Sequence, residues 1–513
     1  MTINGRYARR VWGVLGLLCV AGVVGLVAAV LLRQGWDQAA KVAGVVSILF
    51  AVAPLVVGLL RWSRRAASSV LTDELVAQAR ALLAARVSEQ WRRESEARAL
   101  GDPEPMPVRW TMTEHAVMDH RHLVLTGPGL AGSSTDIESL AAQFTRLSRR
   151  RLVVLGPAGA GKTTLAVQLL RQLLATRTAE EPVPVLLSLS GWDTTTAPRL
   201  QDWLADRLTQ DYPAVRAVHP DAARALVEQG FVLPVLDGLD ELATDYQPTV
   251  ITAINSSLGA TDPLLLTCRT GEFRDAVAAS DVLTAAAVIE PESLGCAEAA
   301  DYLRTCLPPE PGDSWRSVLA ALRAGQAPAL GEVCASPLGL WLVRMIYVAG
   351  RADPAPLLAH ADAAALRTEL LDQLIPTVIR TRPPTRDADD PLRPRRAWDP
   401  DDVRRWLSLL ARQLGGTRDL RWWHLPRHTL SPSLFGLVGG LVVGLAFGLA
   451  FGLAFGLVGG LAVGSQIKAN ITESEPKYAN FQWHGRVTLL ARRLAVGLVF
   501  GLVGGLVFGL VFG

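Results

Sequence analysis

The sequence reads as an α/β protein with a parallel five-stranded sheet at its centre and transmembrane α-helices at both ends. Three observations carry this reading. From residue 151 onward, short β-rich apolar runs alternate with helix-length segments, the pattern of a parallel sheet covered on both faces. Near the N-terminus, residues 11–32 and 42–60 form two apolar runs, each close to the ~20 residues a helix needs to cross a bilayer core. Residues 435–464, "FGLVGGLVVGLAFGLAFGLAFGLVGGLAVG", carry glycine at every fourth position and no charge.

Composition bounds the rest. Of 513 residues, 50% are hydrophobic and 19% charged, and the formal net charge of +3 is too near balance to make nucleic acid the main partner. The five cysteines, Cys19, Cys268, Cys296, Cys306 and Cys334, form no CxxC pair and have no histidine at metal spacing. They read as reduced thiols of a cytosolic domain rather than as a disulfide framework or a zinc site.

The first apolar run follows Arg6, Arg9 and Arg10, and the second precedes Arg61, Arg64 and Arg65. A signal peptide has an apolar stretch of only ~7–15 residues and no second span behind it. Residues 1–65 are therefore expected to be a transmembrane helix hairpin, and the flanking arginines place both of its ends in the cytoplasm. Residues 66–108 are an amphipathic helix and a linker. In "TDELVAQARALLAARVSEQWRRESEARA" (72–99), Leu75, Ala79, Leu82, Leu83 and Val87 recur at helical spacing, and Pro103, Pro105 and Pro107 then stiffen the chain.

The domain expected over 109–295 contains five candidate strands: "RLVVL" (151–155), "VPVLLSLS" (183–190), "FVLPVLD" (231–237), "LLLTCR" (264–269) and "AAVIEP" (286–291). Directly after the first stands "GPAGAGKTT", with a helical segment behind it, the setting of a phosphate-binding P-loop. Gly156, Gly159 and Gly161, with Pro157, Ala158 and Ala160 between them, let backbone N–H groups curl around phosphates at a helix N-terminus. Lys162 reaches the β and γ phosphates, Thr163 ligates Mg2+, and Thr164 completes the motif. A carboxylate at the end of a buried strand needs a cation, so Asp237 of "FVLPVLDGLDEL" is the expected Mg2+ partner. Asp240 and Glu241 follow at the strand mouth, where a carboxylate can orient or deprotonate water. Arg269 ends "LLLTCR" in position to sense a γ phosphate. In "SPLGLWLV" (336–343), Pro337 fits the first turn of an apolar helix.

Together "GPAGAGKTTLA", "LDGLDEL", "LLLTCRT" and "SPLGLWLV" resemble the NACHT NTPases of the STAND class, over roughly residues 100–425. The flanking phrases also resemble actinobacterial NACHT proteins with membrane segments. The resemblance implies a nucleotide-binding core followed by helical and winged-helix lids over 296–430, with Pro337 at the adenine and His424 the one candidate for a β-phosphate contact. It further implies that ADP holds a closed state and that ATP permits opening and homo-oligomerisation, as in bacterial defence proteins. No sensor repeat of 20–50 residues follows the NTPase. The arginine-rich 380–396 segment alternates with aspartates and is expected to be an exposed loop.

At the C-terminal side, the glycine stripes of 431–464 and 494–513 suit close helix packing in lipid, and the basic loop 465–493 separates them. Length favours one tilted span for the first block, whereas the charge of the following loop favours an even number of passes. The function expected is a membrane-anchored ATP-binding and hydrolysing signal-transduction switch whose partners are ATP, membrane lipid and further copies of itself. The alternatives are an ATPase energising transport through the C-terminal bundle and a structural scaffold with a decayed NTPase. The glycine runs contain no polar path, which weighs against transport, and the intact phosphate-site residues weigh against decay.

Overall fold

The computed structural model describes residues 71–414 except 126, 128 and 387–392. The hairpin over 1–65, the glycine-rich blocks, the basic loop and His424 lie outside the described residues. Among the described residues, no single helix is long and apolar enough to cross a membrane.

The chain divides into two compact units, Met1–Leu83 with Leu208–Gln229, and Ala84–Arg207 with Gly230–Gly513. In the first, Pro213 opens the helix Pro213–Val218, and the Asp221 N–H donates to His219 Nδ1 (3.1 Å) where the chain turns into the helix Ala222–Glu228. The second unit holds the sheet and a helical region.

All five predicted strands form, but the sheet has seven. In chain order the strands are β1 (Arg109–Met112), β2 (Ala131–Ser133), β3 (Arg151–Val154), β4 (Val183–Ser188), β5 (Val232–Asp237), β6 (Leu264–Thr267) and β7 (Ala287–Pro291). Their spatial order is β2-β1-β7-β3-β6-β5-β4. The five from β3 to β7 pair in parallel, and β1 adds antiparallel to β7 and to β2. The expected five-stranded sheet is thus the parallel part of a larger mixed sheet. Trp110 explains why β1 belongs there: it is buried on the sheet, and its indole N–H donates to Ser134 Oγ at 3.0 Å.

The central strand β3 is buried along its length, as a parallel strand covered on both faces must be. Its first residue, Arg151, is only 1% exposed. The guanidinium donates to the carbonyls of Asp262 (3.0 Å), Thr284 (2.8 Å) and Gly259, tying down the loops that lead into β6 and β7. One arginine thereby satisfies carbonyls at the N-terminal edge of the sheet and leaves the opposite edge for ligand chemistry.

The amphipathic helix forms as Asp73–Ala97, with Val76, Ala79, Leu83, Val87 and Trp91 as its buried stripe. After β7 the elements of the described residues are helices. Helices Cys296–Thr305, Asp313–Arg323, Pro328–Cys334, Pro337–Val343 and Ala363–Thr381 share one core that includes Leu303, Val318, Leu330, Leu340, Leu366 and Leu370. These helices occupy the stretch where a helical lid was expected, and the region is called the lid below. A π-helical segment, Arg344–Ala349, prolongs the helix begun by Pro337. Helix Ala363–Thr381 runs into the first two residues of the arginine-rich segment, and beyond it the Thr385 N–H donates to the Pro394 carbonyl (3.0 Å). The helix Pro400–Leu414 ends the described chain. The winged-helix part of the expected lid finds no counterpart among the described residues: between 296 and 414 they contribute helices and no strand.

Candidate nucleotide-binding site

The site lies at the C-terminal edge of β3, β5 and β6, which are neighbours in the sheet. Register places Val154 of β3 beside Thr267 of β6 and Leu236 of β5 beside Leu266 of β6. The residues that follow these strands therefore emerge together.

The loop after β3 has the conformation its composition calls for. Gly159 and Gly161 adopt φ of +77° and +86°, a region L side chains rarely occupy. Gly161 is the N-cap of the helix Lys162–Thr176, which has no side-chain cap. Its first-turn N–H groups and the helix dipole make a site for an anion.

Lys162 donates to the carbonyls of Gly156 (2.9 Å) and Pro157 (3.0 Å), so the ammonium is held over the loop. Burial lowers its pKa below the usual lysine value, with Arg269 adding in the same sense and Asp240 opposing. A partly desolvated ammonium gains when phosphate oxygens arrive. Thr163 Oγ1 lies 3.0 and 3.1 Å from the two carboxylate oxygens of Asp237. A hydroxyl and a carboxylate meeting at the mouth of a strand are hard oxygen donors suited to Mg2+, which keeps most of its remaining ligands as water and phosphate.

Thr267 was not anticipated as a site residue. It is 1% exposed, its hydroxyl donates to Asp237 Oδ1 (2.5 Å), and it accepts from the Gly238 N–H (3.0 Å). It fixes the Asp237 carboxylate from behind, as a partner behind a metal ligand does. The available signal was a hydroxyl at the end of a buried apolar strand; its role emerges only from the placement of β6 beside β5.

Asp240 and Arg269 meet. Arg269 Nε is 3.0 Å from Asp240 Oδ2, whose side chain is 7% exposed, and Nη1 is 3.5 Å from Glu272 Oε1. Glu241 is exposed and comes near the main chain at Gly238, where a Cβ would stand 2.8 Å from its Cδ. Gly238 sits at φ +81°, so the turn after Asp237 calls for glycine, whereas the exposed Glu241 side chain could swing away from an added Cβ.

Pro337 arrives from the helical region. Ser336 caps its helix by accepting from the Gly339 N–H (3.2 Å), with the proline at the first helical position. The next residue, Leu338, donates its N–H to the Gly159 carbonyl at 3.1 Å. A Cβ built on Gly159 would stand 2.7 Å from Leu338 Cβ, and one on Gly161 would be 3.9 Å from Pro337. The structure thus brings Lys162, Thr163, Asp237, Asp240, Arg269 and Pro337 to one locus.

A glycine-rich phosphate loop, a threonine–aspartate pair for a divalent cation and an arginine at the neighbouring strand end, on this parallel sheet, define a P-loop NTPase. The NACHT domain family model matches residues 150–310, and this segment is a NACHT domain. No curated protein was found to match the chain.

Proposed function

We infer that the protein is a membrane-anchored signalling switch that binds and slowly hydrolyses ATP, clusters on nucleotide exchange, and acts through its membrane segments in a bacterial defence response. The observation that carries this reading is the Leu338 N–H to Gly159 carbonyl bond, because it joins the helical lid to the phosphate loop itself. A nucleotide on that loop cannot change without altering what the lid helix rests on. Such a linkage is what a two-state switch requires.

Each residue has a role in this reading. Lys162 exchanges its two loop carbonyls for β and γ phosphate oxygens. Thr163 and Asp237 would hold Mg2+, which supplies charge neutralisation at the β and γ oxygens when bound, and Thr267 keeps the Asp237 carboxylate oriented. Arg269 is shared by Asp240 and Glu272. A γ phosphate would compete for its guanidinium, leaving Asp240, with Glu241 beside it, to orient the attacking water. In this reading Pro337, which stands beside Gly161 of the loop, is the residue that would meet the base of the nucleotide.

The test is Lys162→Ala in the full chain, extracted in detergent, with bound nucleotide and particle mass measured in ADP and in ATP. We expect at least about tenfold weaker ATP binding, from loss of a desolvated charge partner, and no shift to larger particles. A variant that binds ATP and clusters like the parent protein would sink the reading.

A further inference from the structure

We propose that the helix Pro400–Leu414 lies on the surface of an anionic bilayer, with its apolar face in the headgroup region. At 100° per residue, Val403, Trp406, Leu407, Leu410 and Leu414 fall within a stripe about 100° wide, the amphipathic pattern of a surface helix. In a folded core such a stripe is buried. Here Trp406 and Leu407 are 46% and 49% exposed, and Val403 and Leu410 are only half-buried.

Aromatic and charge placement point to lipid as the covering partner. Trp398 packs edge-on against Trp406 (ring centroids 5.2 Å apart), and the Arg396 guanidinium sits 4.3 Å from the Trp398 ring centre. Tryptophans with arginine beside them are the side chains that settle at a membrane interface, apolar body inward and cation toward phosphate. From Arg393 to Leu414 the sequence has six arginines and three aspartates, and Arg405 and Arg412 project opposite the apolar stripe.

Chain length agrees. Twenty residues separate Leu414 from Phe435, where the charge-free glycine-rich run begins, and they add Arg418, Arg421 and Arg427 against one aspartate. A connection of that length spans at most about 70 Å when fully extended, so the helix is tethered near any bilayer the glycine run enters. The proposal rests on the membrane anchoring inferred above. A folded helix lying on the leaflet would link the lid to lipid, and it selects anionic lipid through its arginines.

The experiment places a photoreactive amino acid at position 407 of the full chain, with a second protein carrying it at Leu358, an exposed leucine of the lid outside this helix. Both are reconstituted in vesicles of phosphatidylglycerol with phosphatidylcholine, or of phosphatidylcholine alone, and flotation is scored first. The expected result is lipid adducts at 407, several-fold more abundant with phosphatidylglycerol, none at 358, and loss of the 407 adducts when Trp406→Glu is added. Flotation without lipid adducts at 407, or cross-links from 407 to a second copy instead, overturns the docking while leaving the anchor intact. A chain that does not float overturns both.

Discussion

At the scale of single residues, the site depends on side chains that act through their neighbours. Thr267→Val removes the hydroxyl that Asp237 and the Gly238 N–H share, at a position 1% exposed. We expect a loss of about 1–3 kcal/mol in urea unfolding, the cost of an unmet buried donor, together with weaker Mg2+-dependent stabilisation by ATP. Thr267→Ser should recover most of both. Titration of buried groups sets the alkaline limit. Burial pushes the Cys334 thiol from 9.0 and the Tyr302 phenol from 10.0 each up to about 12, and raises the Cys268 thiol as well. The unfolded chain releases these protons first, so the stability they contribute is complete below pH 9 and is lost as pH rises toward 12. Lys162, with its lowered pKa, works in the opposite sense but is one group against five, since burial raises Cys306 and Tyr347 too. The melting temperature should fall above pH 9, and Cys334→Ala should flatten that fall even though it lowers the starting value.

At the scale of elements, the contact between the phosphate loop and the lid helix is the feature most sensitive to a small change. Gly159→Ala would put a methyl group 2.7 Å from Leu338 Cβ at a φ of +77°. The strain, about 1–3 kcal/mol, should appear as faster amide exchange through Ser336–Ala349 with the β3–β6 ladder unchanged. Adding Leu338→Gly relieves the clash but not the dihedral, so it should restore exchange only in part. The five parallel strands, the loop and the start of the Pro337 helix were legible in the sequence because each is signalled locally, by apolar runs, glycine spacing or a capped proline. The edge strands β1 and β2 were not. "RWTM" and "AGS" are four and three residues long, and what makes them strands is their pairing with β7 and with each other. Thr267 was missed for a similar reason, since its importance follows from strand order rather than from its neighbours in the chain. The Leu338 contact joins residues far apart in sequence and leaves no periodic trace. The winged-helix expectation came from resemblance alone, and the described residues offer it no strands.

At the scale of the whole molecule, the lid is also joined to the segment that leads in from the N-terminal side. Helix Asp73–Ala97 has no basic residue in its last turn, yet its end receives one arginine from the helical region, and the linker just beyond it receives a second. Arg382 donates to the Ala97 carbonyl, and Arg344 donates both to the Asp102 carbonyl and to Tyr302 Oη (2.9 Å). Charge-assisted bonds of this kind are worth roughly 1.5–3 kcal/mol each. The double variant Arg344→Ala, Arg382→Ala should speed amide exchange over Arg98–Val108 by roughly tenfold or more, and unchanged exchange would show that the clamp holds nothing. Further along, β1 is bonded on both sides, to β2 and β7, and Arg109 is ion-paired with Glu292 (3.0 Å) and Glu298 (2.9 Å). The order of these attachments has a mechanical meaning. A tug arriving along the linker meets the two arginine contacts before it reaches a strand that can yield only by shearing two ladders at once. Tension arriving along the linker would therefore be spent on loosening the lid, while the sheet that carries the phosphate loop stays whole.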